Sequence, residues 1–406
     1  MKRRRLLGEA SDVMPQIDDF PIVGIVGGGE IARMMAPAGI DLGVGLRLLA
    51  SDPLGSAAPV YGDVRLGAHD DKEALLEFAK GCAVVTFGRK HVPSAHLQEL
   101  RAAGIEIRPG WDALLHAQDK ITMRLALSGA GLPSPLWTQL PAEADLERTT
   151  ATLNHFAERA GWPIVLRAPR GIYDGWGSWI AEDLAAALAV IQQNPLAVGS
   201  AWLLEEWVDF VHELSAQVAR SPHGQAVSYP VVKMVKSRGI HTEVVAPAPD
   251  ISDEVAVAAQ DIALRVAEVL HVTGMLAVEL FDTGDRLLIN EIALRPHDSG
   301  NWTLDGAVTS QFENHLRAIL DLPLGSPMAR APFAVTVNIL GTERTGLYSA
   351  YRHVLARDPG IKVHMYGKPP KVGRRMGHVT AVGEDLQDLL DRARHAADYF
   401  SGVIDE

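Results

Sequence analysis

The chain has 406 residues, 47% hydrophobic and 22% charged, which is enough for two or three domains with cores of their own. Its formal net charge of -12 argues against a general nucleic-acid or membrane binder, since either needs a basic face, so local basic clusters point to particular anionic ligands. Cys82 is the only cysteine, so no intrachain disulfide or cysteine metal cluster can form; with no apolar run approaching a membrane span, a cytoplasmic location is expected.

The basic start, Lys2 to Arg5, is followed at once by Gly8-Glu9 rather than an apolar stretch, so residues 1–20 are expected to be a flexible tail. From Pro21 an apolar run ends in Gly27-Gly28-Gly29-Glu30-Ile31-Ala32, which matches G-x-G-x-x-A and predicts a strand, a glycine turn and a helix start. Short strands are expected at 46–50, 84–87 and 105–107, with helices at 72–80 and 95–103 between them. This is a Rossmann-like domain over 21–118. The turn with Asp52 fits a nicotinamide dinucleotide site; it fits equally any phosphate at a helix N-terminus, or simple packing of helix on strand.

A helix at 120–128 leads to a linker at 131–135. A strand at 163–166 then runs into Arg167, followed by Gly171, Gly175 and Gly177, either a loop closing over phosphates or the tip of a glycine-rich hairpin. A further strand at 201–206 ends in Glu205 and Glu206, and 211–218 alternates with Glu213 on its polar side. Ser252 is placed to cap a helix whose apolar positions are Val255, Ala259, Ile262, Val266 and Val269. Apolar runs at 275–281 and 286–292 flank Asp282-Thr283-Gly284-Asp285 and predict a β-hairpin. Each run carries one acid, Glu279 and Glu291, and a carboxylate inside an apolar strand is costly without a positive partner. An even register puts both on one face beside Asn290, with Arg295, His297 and Ser299 just beyond. Hard oxygens of this kind suit Mg²⁺ that completes its shell with water and phosphates, while an exposed face of ordinary acids is the plainer reading. A strand at 334–340 precedes Gly367 to His378, where Lys368, Lys371, Arg374, Arg375 and His378 form a solvated basic loop or a seat for a phosphorylated substrate. An amphipathic helix is expected at 384–400.

This order of glycine loop, acidic strand end, second acid and carboxylate hairpin resembles the ATP-grasp carboxylate-amine ligases, in particular the branch acting on aminoimidazole ribonucleotide in purine biosynthesis. The resemblance runs from Pro21 to Ile404. It is carried by Tyr173-Asp174-Gly175, Asn290-Glu291, Arg295-Pro296-His297, Ser299-Gly300, Trp302, Ser310-Gln311-Phe312-Glu313, Gly373-Arg374 and Gly377-His378. It implies an α/β chain with an ATP-grasp fold: a Rossmann-like pre-ATP-grasp domain at 21–118, a linker helix and mobile lid at 119–204, and a C-terminal α+β domain at 205–406. It also implies a homodimer, ATP with Mg²⁺ or Mn²⁺, and bicarbonate, which is phosphorylated to carboxyphosphate before it carboxylates the exocyclic amine. By the same resemblance, Lys120 and Arg167, with Gly171, Gly175 and Gly177, hold the ATP phosphates beside Asn290. Glu205 and Glu206 flank the adenine, Glu213 takes the ribose hydroxyls, and Glu279 and Glu291 ligate the metal. Tyr173, Asp174, Arg295, His297, Lys368, Arg374 and Arg375 line the ribonucleotide and carboxyphosphate site.

Several positions depart from the pattern of the family, which usually has Lys at Arg167, Gly at Ile172, Arg at Trp176, Gln at Glu30, Glu at Lys90, Asn at Asp298, His at Asn301 and Lys at Arg375. A nucleotide-binding relative with an altered acceptor or reduced activity is therefore the alternative reading, and a nicotinamide-dependent oxidoreductase a more distant one.

Overall fold

The computed structural model describes residues 20–405 apart from 90, 171–176, 238–239 and 345, so the 1–19 tail, Gly171, Ile172, Tyr173, Asp174, Gly175, Trp176 and Lys90 lie outside the described residues. Strands β1 (Ile22–Val26), β2 (Gly45–Ala50), β3 (Asp63–Leu66) and β4 (Val84–Phe87) form a parallel sheet in the order β3-β2-β1-β4. β1, inside the sheet, and β4, at its end, are mainly apolar because helices cover both faces of a parallel sheet. The edge strand β3 was not foreseen: Asp63-Val-Arg-Leu alternates polar and apolar over only four residues, and Arg65 closes onto Asp63 at 2.9 Å. Ile107, expected within a strand, makes a single bridge to Val85. The helix Glu30–Asp41 starts at the glycine turn, where Gly27 has φ +108 and a Cβ on Gly28 would come within 2.9 Å of Ala50. Close packing accounts for these glycines. Asp52 accepts a hydrogen bond from the Leu54 amide at 2.9 Å, so its carboxylate serves its own turn.

The second sheet is antiparallel, in the order β5-β8-β6-β7: β5 (Trp137–Pro141), β6 (Ile164–Arg167), β7 (Ser178–Ala181) and β8 (Ala201–Glu206). Helices Leu146–Ala160 and Leu184–Gln193 cover it around Leu153, Phe156, Leu166 and Trp202. Arg167 pairs with Ser178 across β6 and β7, so the glycine segment joins the two strands of a hairpin. Glu205 and Glu206 both lie in β8, within this lid sheet.

A nine-stranded antiparallel sheet makes up the rest. Its strands are β9 (His212–Arg220), β10 (Ala226–Ser228), β11 (Val232–Ser237), β12 (Ile240–Ala246), β13 (Gly274–Asp282), β14 (Leu287–Ala293), β15 (Phe333–Leu340), β16 (Lys362–Met365) and β17 (Arg375–Gly383). The order is β14-β13-β9-β11-β12-β15-β17-β16, with β10 beside β9. Along β9 and β13, Leu214, Ala216, Val218, Leu276, Val278 and Leu280 point to one face and pack on the helix Asp253–Val269. That helix is capped by Ser252, as its sequence predicts, although Val269 is exposed rather than inward. The opposite face carries Glu213, Ser215, Gln217 and Glu279, because side chains alternate along a strand. Helix Gln311–Ile319 packs Phe312, Leu316 and Ile319 against Met34 and Met35 of the first domain, and helices Ala350–Arg357 and Leu386–Ser401 cover the β15 to β17 end.

Candidate active site

The hairpin of β13 and β14 forms as its turn chemistry requires. Gly284 has φ +91, and the Asp282 carboxylate accepts from its amide at 2.9 Å. Glu279 stands directly opposite Glu291, and the register then slips so that Leu280 pairs with Ile289. Asn290 is the extra residue of a bulge. With it, Ile289 and Ile292 both enter the core although they are three apart, and Asn290 and Glu291 both serve the cleft.

Three cations gather beside the hairpin. Lys120 opens the helix Lys120–Gly129 and places its ammonium 3.0 Å from Glu291, and its amide donates to the Pro169 carbonyl at the base of the glycine segment. Arg167 reaches the Glu205 carboxylate at 2.6 Å and Asn290 Oδ1 at 3.4 Å. Arg124, fully buried on the same helix as Lys120, holds the other Glu205 oxygen at 2.6 Å and donates to the carbonyls of Ile289 and Asn290 at 2.8 and 2.9 Å. Burial would raise the Glu205 carboxyl, but the guanidiniums of Arg124 and Arg167 outweigh it and lower the pKa. Both oxygens of Glu205 are thus committed to arginines. Glu206 accepts from the Leu136 amide at 3.0 Å and ties β8 to the linker. Gly177, with φ +95, accepts from the Ala168 amide and closes the base of the hairpin segment.

Around Glu279 stand Lys236, His241 and His297, each 3.6 Å from one of its oxygens. Lys236 also pairs with Glu213. Burial works against the Lys236 ammonium, yet Glu279 and Glu213 raise its pKa. For Glu213 burial wins, helped by repulsion from Glu279, and the pKa rises; for Glu279 the surrounding donors win over burial, and the pKa falls. His297 is pushed down to about 3 by burial, against the pull of Glu279. Two opposed carboxylates, each already met by an ammonium, form an all-oxygen donor set that fits Mg²⁺ or Mn²⁺. Among the described residues no group of three or more His, Cys, Asp and Glu is set to hold a metal, so a cation at Glu279 and Glu291 would take further oxygens from a nucleotide and water.

Beyond the hairpin, both main-chain groups of His297 are clamped by Gln311, whose Oε1 accepts from the His297 amide at 2.9 Å while Nε2 donates to its carbonyl at 2.8 Å. Arg295 donates to the Pro296 carbonyl at 2.9 Å. Lys368 pairs with Glu30 at 3.0 Å and lies over the Tyr366 ring, and Arg375 pairs with Asp298. Arg374 turns to the Pro369 carbonyl of its own loop, at 3.1 Å.

Residues 126–312 match the ATP-grasp domain, 21–118 the ribonucleotide synthetase preATP-grasp domain, and 334–392 the phosphoribosylaminoimidazole carboxylase C-terminal domain. The N5-carboxyaminoimidazole ribonucleotide synthase of Mycobacterium tuberculosis is 45% identical over 404 residues, covering 98% of this chain and 92% of the relative. The chain belongs to the N5-carboxyaminoimidazole ribonucleotide synthase family. Its counterpart from Corynebacterium ammoniagenes is 38% identical, covering 98% and 97% of the two chains. The solved synthetase of Thermus thermophilus superposes with a TM-score of 0.81 at 34% identity, covering 95% of this chain and 99% of that one. The Aspergillus clavatus synthase in complex with ADP and 5-aminoimidazole ribonucleotide gives 0.83 at 28% identity, covering 94% and 99%. The ATP-grasp architecture expected from the sequence is therefore the one present, and the oxidoreductase reading falls.

Within this synthase family the unusual residues of the chain acquire partners. Glu30 meets Lys368, Asp298 meets Arg375, and Arg167 spans Glu205 and Asn290, so the added anions are each neutralised rather than left facing a substrate. Lys236, His241 and Arg124 were not singled out in the sequence. The β-branched residues Val232, Val235, Ile240, Thr242, Val244 and Val245 were available as a signal for β11 and β12, whereas nothing marked Arg124 as the buried member of its helix.

Proposed function

We propose that this chain carries out the ATP-dependent carboxylation of 5-aminoimidazole ribonucleotide with bicarbonate, giving 5-carboxyaminoimidazole ribonucleotide. Lys120 and Arg167 bind the phosphate chain of ATP, with Gly171, Gly175 and Gly177 letting the backbone approach it. Glu205 acts through Arg167, whose guanidinium it fixes, and Glu206 braces the adjoining strand. Glu213 takes the ribose hydroxyls. Glu279 and Glu291 hold Mg²⁺ or Mn²⁺, which when bound neutralises charge on the transferring phosphoryl group. The γ-phosphoryl group passes to a bicarbonate oxygen and ADP leaves with the electron pair of the broken bond. The amine of the ribonucleotide then attacks the carboxyl carbon, expelling inorganic phosphate and losing a proton. Phosphoryl transfer of this kind needs cations placed on developing charge more than covalent help. Tyr173, Asp174, Arg295, His297, Lys368, Arg374 and Arg375 receive the acceptor nucleotide and the phosphorylated bicarbonate.

The observation that carries this reading is the direct opposition of Glu279 and Glu291 across the hairpin, with Lys120 and Arg167 on one side and His297 on the other. Its test is ADP release, expected to require divalent metal and bicarbonate and to rise with 5-aminoimidazole ribonucleotide. Hydrolysis indifferent to bicarbonate and the ribonucleotide would refute it. A homodimer in the cytoplasm belongs to the same proposal, and sedimentation at assay concentration tests the dimer.

A further inference from the structure

We infer that Ser299 holds His297 in the tautomer with its proton on Nε2, so that the imidazole offers one fixed hydrogen-bond donor to an anionic oxygen in the cleft. The inference rests on the reading that His297 faces the phosphorylated bicarbonate and the acceptor nucleotide. Ser299 is fully buried, and its hydroxyl has three neighbours: His297 Nδ1 at 2.9 Å, Ser215 Oγ at 2.8 Å and Gln217 Nε2 at 3.0 Å. A serine hydroxyl has one proton to give and two lone pairs to receive with. The Ser299 backbone amide also points at His297 Nδ1, at 3.4 Å, and a backbone N–H can only donate. Nδ1 is therefore a lone pair, and the Ser299 proton goes to it. The remaining neighbours must then donate to Ser299: the Gln217 amide nitrogen, which has only protons to offer, and the Ser215 hydroxyl. Each contact of the Ser299 hydroxyl is then used.

With Nδ1 fixed as an acceptor, the ring proton is on Nε2, which faces Glu279 Oε1 at 3.6 Å. Reversing the ring would put a carbon against Ser299. Gln311 grips the His297 amide and carbonyl, so the main chain cannot swing to relax the arrangement. A neutral imidazole held this way cannot take a proton at the cleft without first losing the one it carries there. It can only donate, as suits an oxygen that gains charge when a phosphoryl group arrives or leaves. Ser299 is thus a positioning residue that acts through His297.

The test is ¹⁵N spectroscopy of histidine-labelled full-length protein, with the His297 signals assigned by difference from His297→Asn. Nδ1 in the unprotonated range and Nε2 in the protonated range are expected; a protonated Nδ1 overturns the inference. Ser299→Ala should blur the two signals toward a tautomer mixture, whereas Ser215→Ala should leave them separate, and the reverse pattern overturns the assignment of donors. In turnover, Ser299→Ala should lower kcat about ten-fold with the KM for ATP unchanged, the loss of one oriented hydrogen bond, and Ser299→Thr should restore it. A loss matched by a raised KM for ATP and not rescued by threonine overturns the positioning role. Expected wild-type signals that do not move when 5-aminoimidazole ribonucleotide is added would support the tautomer and overturn instead the placing of His297 at the acceptor site.

Discussion

Lys368 gives its ammonium to Glu30 with both side chains about four-fifths withdrawn from solvent (20% and 19% exposed), so a cation assigned to the acceptor phosphate is held by a carboxylate at the start of the first helix. Glutamine at position 30 would keep the size and remove the charge. Glu30→Gln is therefore expected to lower the KM for 5-aminoimidazole ribonucleotide roughly five-fold, the equivalent of about 1 kcal/mol for a partly exposed pair. An unchanged KM in steady-state assays would show that Lys368 does not meet that phosphate. The hairpin acids call for a different readout. Each is offset by a lysine, so Glu291→Gln relieves little repulsion and should leave the unfolding midpoint of the apoprotein nearly in place. Turnover should fall by at least about a hundred-fold, because the transferring group loses its metal. Mg²⁺ with ATP should raise the midpoint of the wild type more than that of the variant, since a ligand stabilises only in proportion to its binding. Equal shifts would place the metal elsewhere.

At the scale of the element, the bulge at Asn290 is the feature on which the hairpin depends, and Arg124 supports it from behind. Two carbonyls that leave the strand ladder at Ile289 and Asn290 are satisfied by one guanidinium, whose Nε holds Glu205 of the lid strand. Linker helix, lid strand and carboxylate hairpin thus meet at a single buried cation. Arg124→Met should cost about 3–5 kcal/mol in urea unfolding, because a buried carboxylate loses one of its two guanidiniums and the carbonyls lose their donor. The double variant Arg124→Met with Glu205→Gln should recover part of that loss; no recovery would mean that the carbonyls dominate. The hairpin and its two acids were legible because period two and turn chemistry are local properties. Even the bulge left a trace, since two adjacent polar residues, Asn290 and Glu291, separate Ile289 from Ile292 in an otherwise apolar strand. Arg124, Lys236 and the Ser215, Gln217 and Ser299 contact were not legible, because each takes its meaning from a partner on another element. The edge strand β3 belongs with them: its period two spans only four residues, and its charges answer each other and Arg47 on the neighbouring strand.

At the scale of the molecule, the first domain is fastened to the catalytic sheet by His315. Its Nδ1 accepts from the Met275 amide at 3.0 Å and its Nε2 meets the Thr86 hydroxyl of β4 at 2.8 Å. Burial without an acidic partner pushes its pKa down to about 3. Above pH about 6.5, the ordinary value for histidine, neither the folded nor the unfolded chain protonates it, and its full contribution to stability is present. As pH falls from there toward 3 only the unfolded chain binds the proton, so stability drops by up to about 1.4 kcal/mol per pH unit for this residue. His378, also buried and lowered, adds in the same direction. Unfolding midpoints measured from pH 8 to pH 5 should therefore decline, and His315→Gln should start lower yet decline less steeply. A parallel decline in the variant would show that other groups carry the effect. This fastening was not legible in the sequence, because the histidine lies on a helix whose register shows only that one side is buried.

The ladder between β12 and β15, with Glu243 beside Val337 and Ala246 beside Ala334, makes the 367–378 loop, proposed to receive the acceptor, an extension of the sheet that bears Glu279 and Glu291. Such a region cannot be traded between genes like a bead on a string. A foreign replacement would have to arrive with a strand of matching register, or leave two raw sheet edges that invite self-association. Change within this architecture is thereby steered toward single exchanges at the ends of elements, such as Glu30 and Asp298, whose charges each find an opposite one nearby while the shared sheet stays intact.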